Sequence, residues 1–273
     1  MPREFILTLM TDDFEEAIRG AAAKVDRIGP DLETYHKAER QATLSTRVSA
    51  HDADFVARLK GNIAGSELFA RIDPIQSGSK QQIDALIGDG VVSLMLPYFH
   101  SEKEVSEFVG IVDGRARTTI LVETAASAFL IESFAAIEGV DEVHIGLTDL
   151  MISTKAKSRY RLLTSPLMDL ICEIVLRHGK PLHLAGVARI DDSSLPIPAD
   201  LTIARYVELG VTGSLLTRAF TAQCQDMSSF VSAVSDLRER VTYWRDNPEE
   251  RRQATQRLKE LVAAATRDGT KIP

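Results

Sequence analysis

TTILVETAASAFLIESFAAIEGVDEVHIGLTDL, residues 118–150, is the stretch that decides the fold. Thr118–Glu123 is a short, almost wholly apolar run, and Glu142–Leu147 is a second one. Between them Ser133–Ile137 carries apolar residues at helical spacing. Strands that are apolar along their whole length are those buried on both faces, as in a parallel sheet. Working outward, similar β-rich runs occur upstream at Phe5–Thr11, Val25–Asp31, Leu68–Asp73 and Val91–Pro97. Two more lie downstream, at Leu182–Ala188 and Thr212–Thr217. Segments with helical spacing separate them: Phe14–Lys24, weakened by Gly20, then Phe55–Ile63, Ile83–Ile87, Val105–Val112, Leu167–Arg177 and Leu201–Leu209. Eight β/α units in a chain of 273 residues predict a closed (β/α)8 TIM barrel, with an open doubly wound sheet as the competing arrangement.

The chain continues past the eighth unit. Phe230, Val231, Val234, Leu237, Val241 and Trp244 fall on one helical face. Asn247-Pro248-Glu249-Glu250 then has the form of a helix start, and Leu258, Leu261, Val262 and Ala265 give a further apolar stripe. The expected organisation is a catalytic barrel over residues 1–246 and a C-terminal helical extension over 247–273. That extension either folds back on its own barrel or forms an oligomerisation arm on a neighbouring subunit.

The composition, 44% hydrophobic with a net charge of −7, suits one large domain and argues against general affinity for nucleic acid or an anionic membrane surface. No apolar run approaches the roughly 20 residues that span a bilayer. The two cysteines, Cys172 and Cys224, lack CxxC spacing and read as intracellular thiols, so a cytoplasmic location is expected and a thiolate zinc site is not.

In a barrel of this kind the chemistry sits where strands end. Glu123 closes the fifth run and Asp149 lies just past the sixth, so adjacent strands deliver two carboxylates to one rim. Two hard oxygen ligands, with other positions left to water or substrate, fit Mg2+ or Mn2+; two solvated loop acids would give the same spacing. Arg71 ends the third run and reaches the same rim, where it would meet a substrate carboxylate or a developing enolate oxygen, or a rim acid in a structural ion pair. Asp31 and Glu33 stand at the second mouth, with His36, Lys37, Glu39 and Arg40 beyond. Pro97 fixes the exit of the fourth run, and Gly146 lets backbone approach a ligand closely. Arg189 and Arg218 end the seventh and eighth runs. His144 and His183 lie inside apolar runs and read as satisfied core histidines rather than ligands.

Taken together, ARIDP (70–74), DGVVSLMLPYFHSEKEV (89–105) and ILVETAASAFLIESFAAIEGVDEVHIGLTDL (120–150) resemble the HpcH/HpaI aldolase and citrate lyase β-subunit family, over about Asp13 to Phe220. The resemblance implies a metal-dependent barrel that makes or breaks a carbon–carbon bond beside the enolate of pyruvate, another oxo acid or an acyl thioester. It implies Glu123 and Asp149 as metal ligands and Arg71 as the grip on substrate carboxylate and enolate oxygen. The backbone over Gly146, Leu147 and Thr148 would seat the carboxylate. DLETYHKAERQ (31–41) is similar to the lyase branch, and Glu33 matches an acid near the metal's water shell. The pyruvate aldolases have a His directly after that Glu; this chain has Thr34, with His36 two residues on as the candidate base. The expected function is a class II aldolase-like lyase acting on an oxo acid. A citrate-synthase-like or acyl-thioester lyase, and a non-catalytic metabolite- or protein-binding barrel, are the alternatives. The family resemblance also implies a homo-oligomer, a trimer or hexamer, with contacts through Leu258, Leu261 and Val262.

Overall fold

The computed structural model describes residues 5–33, 53–224 and 226–267. Eight strands run in chain order around a closed barrel: β1 (Ile6–Met10), β2 (Arg27–Gly29), β3 (Glu67–Arg71), β4 (Ser93–Leu96), β5 (Arg117–Val122), β6 (Glu142–Ile145), β7 (Leu182–Val187) and β8 (Gly213–Leu216). Every pairing is parallel, and β1 closes on β8 with Ile6 opposite Gly213. The open-sheet alternative is thereby excluded. One irregularity interrupts the ladders, a shift of register in β7 between His183 and Gly186.

Side chains alternate in and out along a strand, so residues two apart stack up the barrel interior. The interior accordingly has three levels. At the N-terminal end, Arg27 donates through Nη1 and Nη2 to Glu142 at 2.6 and 2.8 Å, and Thr119 donates to the same carboxylate at 3.1 Å. Two residues on, Phe69, Met95 and Leu121 pack with Met10 into an apolar layer. Two further on stand Asp31, Arg71 and Glu123, at the C-terminal mouth. Gly29 is the middle-level residue of β2, and its backbone passes so close to β3 that a Cβ would lie 1.6 Å from the Phe69 carbonyl oxygen.

The surrounding helices bury the outward-facing side chains. They include α1 (Phe14–Ala22), α2 (Ala53–Leu59), α3 (Ser79–Gly88), α4 (Glu102–Val112), α5 (Ala125–Phe129), α6 (Ile131–Ala136), α7 (Leu147–Thr154), α8 (Arg159–Leu163), α9 (Pro166–Arg177), α10 (Ala199–Glu208) and α11 (Arg218–Ala222). α4 shows the local logic. Ser101 and Glu104 form a capping box at its start, and Val105, Phe108 and Val112 turn one face to the core. α5, α7, α8 and α11 are absent from the sequence reading, because one or two turns are too short to show a period.

α12 (Met227–Asp246) and α13 (Pro248–Arg267) are the last of the described helices. Asp200 on α10 receives both arms of Arg240 at 2.6 Å and the Trp244 indole N–H at 2.8 Å, which fixes α12. α13 packs on α10 and α8, and Arg251 pairs with Glu208 at 2.6 Å. Leu258 is fully buried and Val262 is 3% exposed within this one chain. This corrects the expectation that both would touch a neighbouring subunit: their apolar surface is already covered by the barrel's own helices. Of the three residues named for that contact, only Leu261 remains exposed. Among the described residues no helix is long and apolar enough to cross a membrane.

Candidate active site

A cavity of about 780 Å3 opens at the C-terminal mouth. Asp31, Arg71, Glu123, Gly146, Leu147, Thr148 and Asp149 all line it, so the barrel brings most of the sequence-predicted set together. Glu33 does not line it, but it is 3% exposed and its carboxylate is 3.4 Å from Arg71 Nη2. His36 falls outside the described residues, as do Thr34, Lys37, Glu39 and Arg40.

Glu123 follows β5 and is 3% exposed. Its Oε1 accepts the Tyr98 backbone N–H at 3.0 Å. Tyr98 holds φ at +48°, a left-handed conformation uncommon for a large side chain. The turn after Pro97 is thus bent so that an N–H, rather than a side chain, meets Glu123. Only Pro97 hinted at this in the sequence. On the other side of the carboxylate lies Gly146, where a Cβ would stand 3.2 Å from Glu123 Oε2 and 3.1 Å from its Cβ. The missing side chain keeps the space beside Oε2 open. Gly146 is also the residue before α7, and it offers no side-chain cap. The first N–H groups of α7 therefore start at the cavity wall, and Asp149 sits in that first turn.

The electrostatics are lopsided. Burial, then the field of Glu33, with Asp149 adding to it, pushes the Glu123 carboxyl up to about 8 against the pull of Arg71. Burial is the largest cause, and with the neighbouring acids it outweighs Arg71. Arg71 itself is held firmly: Nε and Nη2 donate to the two oxygens of Asp31 at 2.8 and 2.6 Å. Burial opposes its charge, but Asp31, then Glu33 and Glu123, more than restore it, so its pKa is raised. One edge of the guanidinium fork is therefore engaged by a rim acid, and a ligand carboxylate could use only the remaining edge unless Asp31 moved.

Among the described residues no group of three or more His, Cys, Asp or Glu side chains is placed to hold a metal. The residues do fit a smaller donor set. Glu123 and Asp149 line the same cavity, and no side chain at Gly146 crowds Glu123 Oε2. Two carboxylates completed by water and substrate oxygens is a set that Mg2+ commonly uses.

His144 lines the cavity as well, at the apolar level. Its Nε2 lies 3.2 Å from the Ala185 carbonyl oxygen, so that nitrogen carries the proton. Burial lowers its pKa to about 3. Ala185 occupies the irregular part of β7 with φ +37°, strained for a residue with a Cβ. His183 is buried too, at about 4, again chiefly through burial. Its Nε2 has no hydrogen-bond partner, so of the two expected satisfied core histidines only His144 is satisfied. Arg189 at the seventh mouth pairs with Asp191 at 2.6 Å and does not line the cavity.

The rest of the lining is different in character. Tyr160 and Leu163 from α8, Leu195, and Ile203 and Tyr206 from α10 give it an apolar and aromatic surface, with Arg159 and Arg218 at its margins. Asp12, Asp13 and Glu16 stand at the β1 corner, where Asp13 caps α1. Of these residues the sequence reading noted only Arg218 as a rim group. Arg159 gave no signal because it lies on a five-residue helix inside a long connection.

No protein-family model matches the chain, and no curated protein matches it. Solved structures do. A HpcH/HpaI aldolase from Desulfitobacterium hafniense DCB-2 is 16% identical with a TM-score of 0.57, covering 79% of this chain and 86% of its own. A HpcH/HpaI aldolase/citrate lyase family protein from Burkholderia cenocepacia J2315 is 15% identical, TM-score 0.63, over 86% and 95%. A citrate lyase from Burkholderia xenovorans LB400 is 16% identical, TM-score 0.60, over 100% and 94%. At this identity the likeness shows a shared barrel fold.

Proposed function

We propose that this chain is a divalent-metal-dependent carbon–carbon lyase acting on a 2-oxo acid through its enolate. The observation that carries the reading is the pairing of Glu123 and Asp149 on one cavity, with open space beside Glu123 and Arg71 alongside. Its fold is that of structures described as aldolases and citrate lyases. Mg2+ or Mn2+ held by Glu123 and Asp149 would supply Lewis-acid polarisation of the oxo acid's oxygens. The chain's own groups do the rest. Backbone N–H groups at Leu147 and Thr148 seat the substrate carboxylate. Arg71 places a fixed positive charge where negative charge develops, and Asp31 and Glu33 hold it there. The Tyr98 N–H fixes the orientation of Glu123. Proton transfer falls to Glu33 or to His36.

Exchange of the pyruvate methyl protons with deuterated water, followed by NMR, tests this without knowledge of the second substrate. Exchange is expected to need Mg2+ or Mn2+ and to drop at least a hundredfold in Glu123→Gln and Asp149→Asn. Calorimetry should show weaker metal binding in both variants. Unchanged metal affinity in both, or no exchange in the metal-loaded chain, would overturn the reading. One observation favours a binding barrel without turnover: the edge of Arg71 already taken by Asp31. Tight oxo-acid binding with no exchange would select it.

A further inference from the structure

The shift of register in β7 lies in the cavity wall. His183 pairs with Gly213 and Gly186 with Leu215, so Leu184 and Ala185 together stand opposite Ser214 alone. Two residues against one make a β-bulge, which bends a strand and re-aims what it carries. Ala185 takes up the extra length at φ +37°, where its Cβ makes the backbone unfavourable. Ala185, Gly186, Val187 and Ala188 all line the cavity, so the bulge sets where this part of the wall lies.

A strained bend persists only when its surroundings hold it. Here three side chains do so, each from a different element. The ladder between β6 and β7 stops at Ile145 opposite Leu184. The next carbonyl of β7, that of Ala185, is met by a side chain of β6 instead, His144 Nε2 at 3.2 Å. From β8, Ser214 Oγ donates to the Leu184 carbonyl at 2.8 Å and reaches that of Ala185 at 3.3 Å. From α10, the Tyr206 hydroxyl donates to the Gly186 carbonyl at 3.3 Å. His144 therefore makes the closer of the two contacts to the strained residue's own carbonyl, and its ring also lines the cavity. With the proton on Nε2 the ring is neutral, and Nδ1 has none to give.

We infer that His144 is a positioning residue for the proposed reaction: by holding the Ala185 carbonyl it fixes the β7 bulge, and with it the wall beside the bound substrate, and it transfers no proton. The inference rests on the proposed function for its catalytic readout. What the bulge needs from position 144 is a donor where Nε2 stands. Gln offers an N–H at that reach; Phe fills the space and offers none. Glycine at 185 lacks the Cβ that makes a positive φ costly, so the bend then needs less holding.

The test compares His144→Gln, His144→Phe, Ala185→Gly and the double variant His144→Phe/Ala185→Gly in the full chain. Three quantities are measured: Mg2+-dependent exchange of the pyruvate methyl protons at saturating pyruvate, Mg2+ affinity by calorimetry, and the midpoint of urea unfolding. His144→Phe should slow exchange roughly tenfold or more, as misplacement of a bound reactant does, with Mg2+ affinity unchanged. His144→Gln should keep most of the rate. The double variant should recover most of what His144→Phe loses, and the midpoint lost through His144→Phe should be smaller when residue 185 is glycine. If the phenylalanine variant does not fold, the smaller His144→Leu takes its place in the same cycle. An unaltered rate in His144→Phe would overturn the inference. So would a glutamine variant as slow as the phenylalanine one, or a double variant no faster. No exchange in the unaltered chain would sink the proposed function instead. The hold on the bulge is then decided by unfolding, where additive midpoint losses refute it and a smaller loss beside Gly at 185 upholds it.

Discussion

Gly146 carries two duties through the absence of one carbon. It leaves room beside the Glu123 carboxylate, and it begins α7 without a side chain between the helix start and the cavity. Its φ of −91° is ordinary, so an alanine there meets crowding and no backbone strain. The added Cβ would press on Glu123 and on Leu121 Cδ1 at 3.3 Å. Gly146→Ala should therefore fold, with a loss of about 1 kcal/mol in denaturant unfolding, and should weaken Mg2+ binding severalfold in calorimetry. Gly110→Ala makes the contrast. That position lies in α4 with nothing near the new Cβ, and helix propensity there should add about 0.5–1 kcal/mol of stability. Equal metal affinity in Gly146→Ala and the unaltered chain would show that the space beside Glu123 is not used.

At the level of elements, α13 decides how the chain ends. An amphipathic helix of this length needs a surface to bury its stripe, and α10 supplies it. Leu258 lies wholly inside that contact. Leu258→Ala should then cost about 2–3 kcal/mol in urea unfolding, as truncation of a buried leucine does. The proposed trimer or hexamer, followed by light scattering at micromolar concentration, should persist in the variant. A variant of unaltered stability that dissociates would place Leu258 between subunits instead. A monomeric unaltered chain would remove the oligomer from the proposal.

The barrel as a whole separates two sets of charges with an apolar septum. Phe69, Met95, Leu121 and Met10 divide the acidic mouth from the Arg27–Glu142 pair at the floor. His183 shares that floor, with Nδ1 4.0 Å from Glu142 and Arg27 and Arg117 nearby. Its folded pKa, about 4, lies below the 6.5 of a free histidine. Between those values the unfolded chain takes up a proton that the folded chain refuses, so stability falls as pH falls. Its contribution should be complete above about pH 6.5 and should decline towards pH 4, a loss on the order of a few kcal/mol. Glu142, whose pKa is lowered mainly by its bond to Arg27 in spite of burial, adds a loss at still lower pH. His144, lowered to about 3, adds to this loss, and Glu123, raised to about 8, opposes it. The share of His183 is therefore the amount by which His183→Gln shrinks the loss in denaturant unfolding between pH 7 and pH 5. The same difference in the variant would assign the pH dependence to other groups.

The sequence by itself determined the eight strands and the rim. Strand runs such as SLML and TTILV are apolar because both faces are buried, and that property is local. Once parallel strands close in chain order, every strand's C-terminal end lies on one face, so Glu123, Asp149 and Arg71 had to meet there. Tertiary structure alone decided what each of them touches. Asp31 engages Arg71 because β2 and β3 are neighbours with the two residues bridged. The Tyr98 N–H reaches Glu123 across 25 positions because a left-handed turn follows β4. Arg159 enters the cavity because α8 packs between α7 and α13, and α13 lies on α10 rather than on a neighbour. Such contacts join residues distant in the chain. Their partners depend on barrel closure and helix placement, which no local pattern of side chains records.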